Sequence, residues 1–272
     1  MGFKKTSYRR LIISFTVSFS WLGILINTEQ ITALSQDSNN NTTPEKVVFN
    51  PPPVEDNGAP GGRQKGAGSH SLCEIAEGEE DLTPLIALMP EIAIKSSTKN
   101  KVYVWAKTTS AHPTFWVYVA YPVNSYVEFT LQDEAENEIY QTTFPLDKTL
   151  GIIGLNLPQD KVSLETGESY HWYFNIMCNP EDSTDDFVEG WVERVELNPV
   201  IHSQLELAQP LEKISIYAEN GLWYDTLSTV DRLRQEEPEN QAIANIWTDL
   251  LQQVGLEEIS QEPIVKRYNL EN

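Results

Sequence analysis

Apolar side chains recur at every second position in short runs between about Leu82 and Leu197, and this period is typical of half-buried β-strands. The runs are rich in β-branched and aromatic residues and are separated by turn residues. Seven strands are predicted: Val102–Thr108, Thr114–Tyr121, Tyr126–Gln132, Glu138–Phe144, Gly151–Leu157, Ser169–Asn179 and Phe187–Leu197. Strands of this number and spacing favour a β-sandwich. Asp133–Asn137, between two such runs, is predicted to be a hairpin loop with its acids facing water.

The sixth predicted strand separates cleanly into two faces, because successive side chains of a strand point to opposite sides. One face is predicted to lie in the core, and it carries Tyr170, Trp172, Phe174, Ile176 and Cys178. The other face carries His171, Tyr173, Asn175 and Met177. His171 and Tyr173 are therefore candidates for a ligand surface, although an ordinary surface histidine has the same pattern.

The second predicted strand places Phe115, Val117, Val119 and Tyr121 on one face and Trp116 and Tyr118 on the other. If the first set faces the core, Trp116 and Tyr118 line a possible carbohydrate or peptide surface. The alternative is that a second sheet and the helices cover both faces. The candidate ligand surface thus comprises Trp116, Tyr118, His171 and Tyr173.

Beyond Pro199 the period of the apolar residues changes from two to 3.6, which predicts helices. Ile243, Ile246, Trp247, Leu250, Leu251 and Val254 form one helical face, and Gly255 follows as a stop. Two further helices are predicted, one from Leu207 to about Gly221 and one from Leu222 to Gln235. The chain around Tyr217–Pro238 loosely resembles one tetratricopeptide unit, but a single unit cannot build a solenoid. About three helices that pack together or against the sandwich are expected.

Residues 1–35 have the pattern of a secretory signal peptide. Four basic residues precede the apolar run Leu11–Ile26, and Ala33-Leu34-Ser35 offers small residues at a cleavage site. The run is shorter than the roughly 20 residues of a membrane span, so a retained anchor is the alternative. Residues 36–68 are rich in Asn, Pro and Gly without apolar periodicity, which predicts a disordered linker.

The charge of the chain limits its partners. Forty acidic against 19 basic side chains give a net charge of −21, and removing the signal peptide makes the chain more acidic still. Sequence-independent binding to nucleic acid needs Lys and Arg to displace counterions, so nucleic acid is excluded as a partner. Membrane contact is expected only through an uncleaved signal segment.

Cys73 and Cys178 are the only cysteines, and an oxidising compartment would let them pair. The alternatives are two free buried thiols or a metal site. A metal site has little support, because neither CxxC nor a paired His spacing accompanies the two cysteines.

The sequence lacks recognisable catalytic motifs: there is no HExxH, no Gly-x-Ser-x-Gly and no GxGxxG after a strand. No cofactor is expected. The four His residues are scattered, and His112, just before Pro113, is expected to have a structural role. Asp182, Asp185 and Asp186 are weak calcium candidates, since they lack the spacing of a calcium loop. Paired carboxylates on a sandwich leave a polysaccharide hydrolase as an alternative.

Several segments together resemble the cyanobacterial domain-of-unknown-function 928 family over about residues 56–260. They are Gly58–Arg63, His112–Trp116, Glu128–Asp133, Tyr170–Phe174, Phe187–Val192 and Gly221–Asp225. The resemblance implies a cyanobacterial exported protein, and the family has no established activity to carry over. In addition, Leu164-x-x-Gly167-x-x-Tyr170 resembles the tyrosine corner of fibronectin type III and other immunoglobulin-like sandwiches.

The sequence therefore predicts a mainly β protein with a C-terminal α segment. An immunoglobulin/fibronectin-III-like β-sandwich is expected over residues 69–200, a helical segment over 201–262 and a tail over 263–272. The expected function is a noncatalytic binding or interaction module of the periplasm or cell surface, with an envelope protein or a glycan as partner. The alternatives are the polysaccharide hydrolase and a calcium-stabilised structural protein.

Overall fold

The computed structural model describes residues 2, 46–53, 61–66, 85–95, 100–121, 125–146, 149–179, 181 and 186–270. The chain divides into two compact units, Met1–Thr42 and Thr43–Asn272. All the elements described below belong to the second unit.

The described part of the chain forms two mixed β-sheets. The strands are β1 (Ile86–Ala87), β2 (Glu91–Lys95), β3 (Asn100–Thr108), β4 (Thr114–Tyr121), β5 (Ser125–Asp133), β6 (Glu138–Leu146), β7 (Thr149–Asn156), β8 (Ser169–Met177), β9 (Asp186–Arg194) and β10 (Ile264–Asn269). One sheet has the order β1-β4-β7-β10 and the other β2-β3-β9-β8-β5-β6. The pairs β3–β9 and β7–β10 are parallel, and the other neighbours are antiparallel.

The seven predicted strands are confirmed as β3 to β9, with ends displaced by no more than a few residues. The hairpin at Asp133–Asn137 is confirmed as well. The Asp133 carboxylate accepts hydrogen bonds from the backbone N–H groups of Ala135 and Asn137, both at 2.9 Å. Glu136 adopts a left-handed φ of 64°, which turns the chain back into β6. The short strands β1 and β2 were not predicted.

The helices are α1 (Pro199–Leu207), α2 (Pro210–Glu219), α3 (Trp223–Glu236) and α4 (Gln241–Gln253). The last follows the predicted face, with Ile243, Trp247 and Leu250 buried, and it is followed by Gly255 at a φ of 77°. The first predicted helix is in fact two, because Pro210 begins a new helix and Leu207 belongs to α1. The C-terminal part therefore has four α-helices where about three were expected.

The inner faces of the two sheets meet through large aromatic side chains. Phe115 of β4 contacts Phe129 and Trp172 of the six-stranded sheet, with ring centroids 5.1 and 5.4 Å apart. The core face predicted for β8 is confirmed at Tyr170, Trp172, Phe174 and Ile176, all of which are buried.

Two indole rings of the sheets lie over glycines of a neighbouring strand. Trp172 is paired with Gly190 and Trp116 with Gly154. A Cβ atom at Gly190 would lie 2.9 Å from the Trp172 ring, and one at Gly154 would lie 2.7 Å from the Trp116 ring. Glycine is therefore required at both positions because an indole ring lies close to its Cα, and not because of the backbone conformation.

Helix α3 is tied to the sheets by side-chain hydrogen bonds. The Trp223 indole N–H donates to the Leu88 carbonyl at 2.7 Å, and the Trp172 indole N–H donates to the Tyr224 hydroxyl at 2.9 Å. Phe115 also meets the Tyr224 ring at 5.5 Å. The predicted helical segment thus packs against the sheets and forms part of the same core.

Helix α4 packs on the side of β4 that points away from the six-stranded sheet. The Trp247 ring lies edge-on to Trp116, with centroids 5.6 Å apart. Trp116 is 4% exposed and Tyr118 is 7% exposed. The expectation of an open face at these two residues is therefore corrected. The alternative holds instead: the six-stranded sheet covers one side of β4 and the helices cover the other.

Residues 46–53 differ from the expected disordered linker, since they pack as an extended segment, named here the N-terminal strap, against the helices. The side-chain amide of Gln253 accepts from the Phe49 N–H and donates to the Val47 carbonyl, each at 3.0 Å. Val47 and Phe49 are buried, and the Phe49 ring contacts Trp223 at 4.7 Å. Two buried apolar side chains and the two hydrogen bonds of the Gln253 amide thus hold this strap in place.

Residues 61–66, also within the expected linker, join the two sheets. Arg63 exchanges two backbone hydrogen bonds with Glu189 of β9, at 2.9 and 3.1 Å. Two residues further on, Lys65 bridges to Ile86 of β1. The buried Gln64 donates from its side chain to the Met89 carbonyl at 2.6 Å. This short segment therefore belongs to the folded structure.

The expected tail likewise contains a strand, β10, which lies parallel to β7. Arg267 binds the buried carboxylate of Asp231 on α3 through two nitrogens, with Nε 2.9 Å from Oδ2. At its end, the Leu270 carbonyl accepts from the Tyr140 hydroxyl at 2.7 Å. These contacts tie β10, the edge strand of the four-stranded sheet, to α3 and to β6 of the six-stranded sheet.

The predicted tyrosine corner has the expected hydrogen bond. The Glu165 backbone N–H donates to the Tyr170 hydroxyl at 2.9 Å, Leu164 is fully buried, and Gly167 adopts a φ of 90°. The glycine is needed there because side chains disfavour that left-handed conformation. The corner fixes the entry into β8.

Candidate ligand pocket between the helices and the sheets

A cavity of about 250 Å³, named here the α3 pocket, lies where the connection from β3 to β4 meets α2 and α3. The residues that line it are Thr108, Ser110, His112, Pro113, Thr114, Tyr217, Tyr224, Asp225, Ser228, Thr229 and Arg232. Its volume is just below the roughly 300 to 1,000 Å³ of pockets that hold drug-sized ligands. It therefore suits one small polar molecule or one unit of a larger one.

The sheet side of the pocket is a short connection shaped by local hydrogen bonds. The Ser110 N–H donates to the Thr108 hydroxyl at 3.1 Å, and the His112 N–H donates to the Ser110 hydroxyl at 3.0 Å. Such hydroxyl-to-backbone bonds stabilise tight turns. The Ala111 carbonyl accepts from the Leu164 N–H at 3.0 Å, which ties the turn to the segment before β8.

Asp225 joins the two sides of the pocket. It lies in the first turn of α3, and its carboxylate accepts a hydrogen bond from the Thr109 N–H at 3.0 Å and another from the Thr109 hydroxyl. Burial raises the pKa of Asp225, and the hydrogen bonds from Thr109 oppose that rise. A carboxyl whose pKa is perturbed beside a cavity marks this place as a candidate functional site.

Tyr217 and Arg232 complete the helical side. Burial raises the pKa of the Tyr217 phenol, and the negative charge of Asp225 raises it further, whereas the positive charge of Arg232 lowers it. Arg232 pairs with Glu236 one turn later, with Nη1 and Oε1 2.7 Å apart and both side chains about half exposed. The guanidinium therefore lies at the edge of the pocket, paired with Glu236, and its positive charge still reaches the Tyr217 phenol.

His112 has a place in this pocket that the sequence did not predict. Its Nε2 atom is buried and makes no hydrogen bond to the residues that the structure describes. An unpaired buried nitrogen of this kind costs about 1–3 kcal/mol. The scattered histidines gave no signal of this, because the pocket residues come from segments about 100 positions apart in sequence.

The four residues of the predicted ligand surface lie in two different sheets. Trp116 and Tyr118 belong to β4, where they are buried, and His171 and Tyr173 belong to β8 in the six-stranded sheet. The structure does not bring the two pairs onto one surface. A ligand role for His171 and Tyr173 stays a prediction.

His171 is held by its neighbours on the outer face of β8 and β9. Its Nδ1 lies 2.8 Å from the Tyr173 hydroxyl, and its ring stacks on Trp191 with centroids 4.4 Å apart. Nε2 lies 3.0 Å from Glu189 Oε2, an ion-pair distance without the alignment of a hydrogen bond. Burial raises the pKa of Tyr173, as do the charges of Glu189 and Glu136. These contacts resemble a cross-strand network more than an open site.

The remaining predicted sites fall mostly outside the described residues. Cys73, Asp182 and Asp185 lie there, so the disulfide and the calcium site stay predictions. Asp186, the third calcium candidate, is buried at the start of β9, with its carboxyl over Gly66. Cys178 directly follows β8 and is partly buried. Within the described ranges, no group of three or more His, Cys, Asp or Glu residues could hold a metal ion.

The fold and the pocket define a class of protein with two mixed β-sheets, four C-terminal helices and a small polar cavity where helices and sheets meet. Residues 61–264 match the family described as Domain of Unknown Function (DUF928), and the chain belongs to this family. No curated protein matches the chain. Two of the segments that carry the resemblance, His112–Trp116 and Gly221–Asp225, contribute residues to the α3 pocket. Across the residues with described structure, no helix is long and apolar enough to cross a membrane.

Proposed function

We propose that this chain is an exported, noncatalytic binding module of the periplasm or the cell surface, and that it binds a partner molecule through the α3 pocket. The pocket is the observation that carries the proposal. Polar side chains from β3, β4, α2 and α3 converge on a cavity of about 250 Å³, which offers several hydrogen-bonding groups to one small ligand. The partner is an envelope glycan or an envelope protein.

The lining favours binding over hydrolysis. Glycoside hydrolysis uses two carboxyl groups on either side of the scissile bond. The described lining includes one carboxyl, that of Asp225, and it already accepts hydrogen bonds from Thr109. A polysaccharide hydrolase is therefore kept as the alternative. It would be favoured if the protein released reducing ends from envelope polysaccharide and Asp225→Asn abolished this release.

The proposal is tested with a glycan array and an envelope-extract binding screen on the chain that begins at Gln36. Ser228→Tyr places a bulky ring in the α3 pocket, and Ser203→Tyr makes the same change on the exposed surface of α1. We expect Ser228→Tyr to abolish binding and Ser203→Tyr to retain it. Equal binding by both variants, with unchanged melting temperatures, would show that the pocket is not the binding site.

Export and the disulfide are part of the same proposal. The support is the signal-like pattern of residues 1–35 and the presence of only two cysteines. N-terminal sequencing of the native protein should begin at Gln36, and peptide mapping without reductant should yield a Cys73–Cys178 crosslinked peptide. An N-terminus at Met1 or two alkylated cysteines would contradict export with pairing. The cyanobacterial source implied by the resemblance belongs to this proposal as well.

The finer fold description and the calcium alternative also remain proposals. The hydrogen bond from Glu165 to Tyr170 supports an immunoglobulin-like sandwich, because that corner recurs in such folds. A calcium-stabilised structural protein would show a melting temperature that rises with calcium concentration. A flat titration would remove that alternative.

A further inference from the structure

We infer that the α3 pocket holds one neutral sugar residue, recognised through its hydroxyl groups. This inference rests on the proposed binding function and adds the chemical class of the ligand. Three features of the pocket support it: its size, its hydroxyl groups and its charge.

The α3 pocket is small. A cavity of about 250 Å³ is smaller than the roughly 300 to 1,000 Å³ that drug-sized ligands occupy. It has room for one ring and not for several linked ones. The pocket therefore takes one sugar residue, either a free monosaccharide or one unit of a longer chain.

Hydroxyl groups dominate the lining. Seven of the eleven lining residues carry one, and most of them are Ser or Thr. The hydroxyls of Thr108 and Tyr224 are buried and bonded within the protein, which leaves five to face a ligand, on Ser110, Thr114, Tyr217, Ser228 and Thr229. A hydroxyl both donates and accepts hydrogen bonds, as the hydroxyls of a sugar do.

The charge of the protein disfavours an anionic ligand. Arg232, at the edge of the described lining, is shared with Glu236, and the chain as a whole carries −21, so an anion meets a repulsive field. The Asp225 carboxylate already accepts hydrogen bonds from the Thr109 N–H and hydroxyl, so no cationic ligand is needed to satisfy it. Neutral hydroxyl groups can still share its oxygens.

The test measures binding of small probes to the chain from Gln36 by saturation-transfer NMR and titration calorimetry. The probes are methyl glycosides of neutral hexoses, the matching uronate and amino sugar, and free serine. We expect the neutral glycosides to bind best. Removing two hydroxyls in Ser228→Ala/Thr229→Ala should weaken that binding about five- to 150-fold, because each lost hydrogen bond is worth about 0.5–1.5 kcal/mol. Ser203→Ala is the matched control and should bind as the parent does.

The outcomes separate this inference from the proposed function. Preferred binding of the uronate, the amino sugar or serine, blocked by Ser228→Tyr, overturns the neutral sugar while the pocket remains a binding site. A third outcome is that no probe binds, while a component of the envelope extract binds and Ser228→Tyr blocks that binding. This outcome overturns the neutral sugar but leaves the pocket as the binding site. Neutral glycosides that bind Ser228→Tyr as well as the parent overturn the pocket as their site. Silence in both assays contradicts both proposals.

Discussion

The indole N–H of Trp172 and the hydroxyl of Tyr224 form a buried hydrogen bond of 2.9 Å that joins the centre of the six-stranded sheet to the first turn of α3. The Tyr224 hydroxyl in turn donates to the Trp191 carbonyl at 3.4 Å. Burial raises the pKa of Tyr224, so the phenol stays protonated and keeps its proton for that bond. The helices are thus bonded to the interior of the β structure.

Tyr224→Phe is expected to destabilise the protein, because the buried Trp172 N–H loses its acceptor. The expected loss is about 1–3 kcal/mol in the free energy of unfolding, measured by urea titration. Tyr268→Phe is the matched control. The Tyr268 hydroxyl is buried without a hydrogen bond to the described residues, so its removal should be neutral or slightly stabilising. Equal losses in the two variants would contradict the role of the Trp172–Tyr224 bond.

Gly190→Ala is expected to disturb the packing of the core. The new methyl group would lie 2.9 Å from the Trp172 ring, which is fully buried and has little room to move. Overpacking of this kind costs about 1–3 kcal/mol. Gly61→Ala serves as the control, since its nearest neighbour would lie at an ordinary 3.6 Å. Thermal unfolding of the two variants checks the prediction, and a melting temperature of Gly190→Ala equal to that of Gly61→Ala would refute it.

Phe49→Ala tests the N-terminal strap. The Phe49 side chain is 7% exposed and packs on Trp223, and its truncation should cost about 3–5 kcal/mol, as for other buried aromatic residues. The neighbouring Val48 is 47% exposed, so Val48→Ala should leave the free energy of unfolding nearly unchanged. Urea titration distinguishes the two. If the strap contributed nothing to stability, both variants would have nearly the same free energy of unfolding as the parent.

The raised pKa of Asp225 predicts a specific pH dependence. Because the folded state binds this proton more tightly than the unfolded chain, whose carboxyl has a pKa near 3.8, the contribution of Asp225 to stability falls as pH rises from about 3.8 through the raised value. Asp225→Asn cannot titrate and should lack this decline. The difference in unfolding free energy between parent and variant, measured from pH 3 to pH 8, isolates the effect. A difference that is constant with pH would contradict it.

Much of the fold could be predicted from the sequence, because β3 to β9 and α4 each carry a long regular pattern of apolar positions. The core face of β8 followed directly from its period of two. Strands β1 and β10 could not be predicted in this way, because β1 has two residues and β10 is largely exposed on both faces. The strap was missed because Val47 and Phe49 stand among Asn and Pro residues, and their partner Gln253 lies 204 positions from Phe49.

The candidate site was harder to predict for a related reason. Each pocket residue is ordinary in its local sequence, and the site appears only when the turn after β3 meets α3. Trp116 and Tyr118 had the strongest local signal for a binding surface, yet α4 covers that face through Trp247. Alternation along a strand identifies two faces but does not reveal what packs on the outer one.

The strap also sets an order of events during biosynthesis. Val47 and Phe49 leave the ribosome some 200 residues before Gln253, which holds both of their backbone groups. Chains that fold while being made form their contacts as the partner segments emerge. The N-terminal strap therefore cannot form its contacts until the helices near the end of this unit have been made. The fold is complete only after nearly all of the chain has been synthesised.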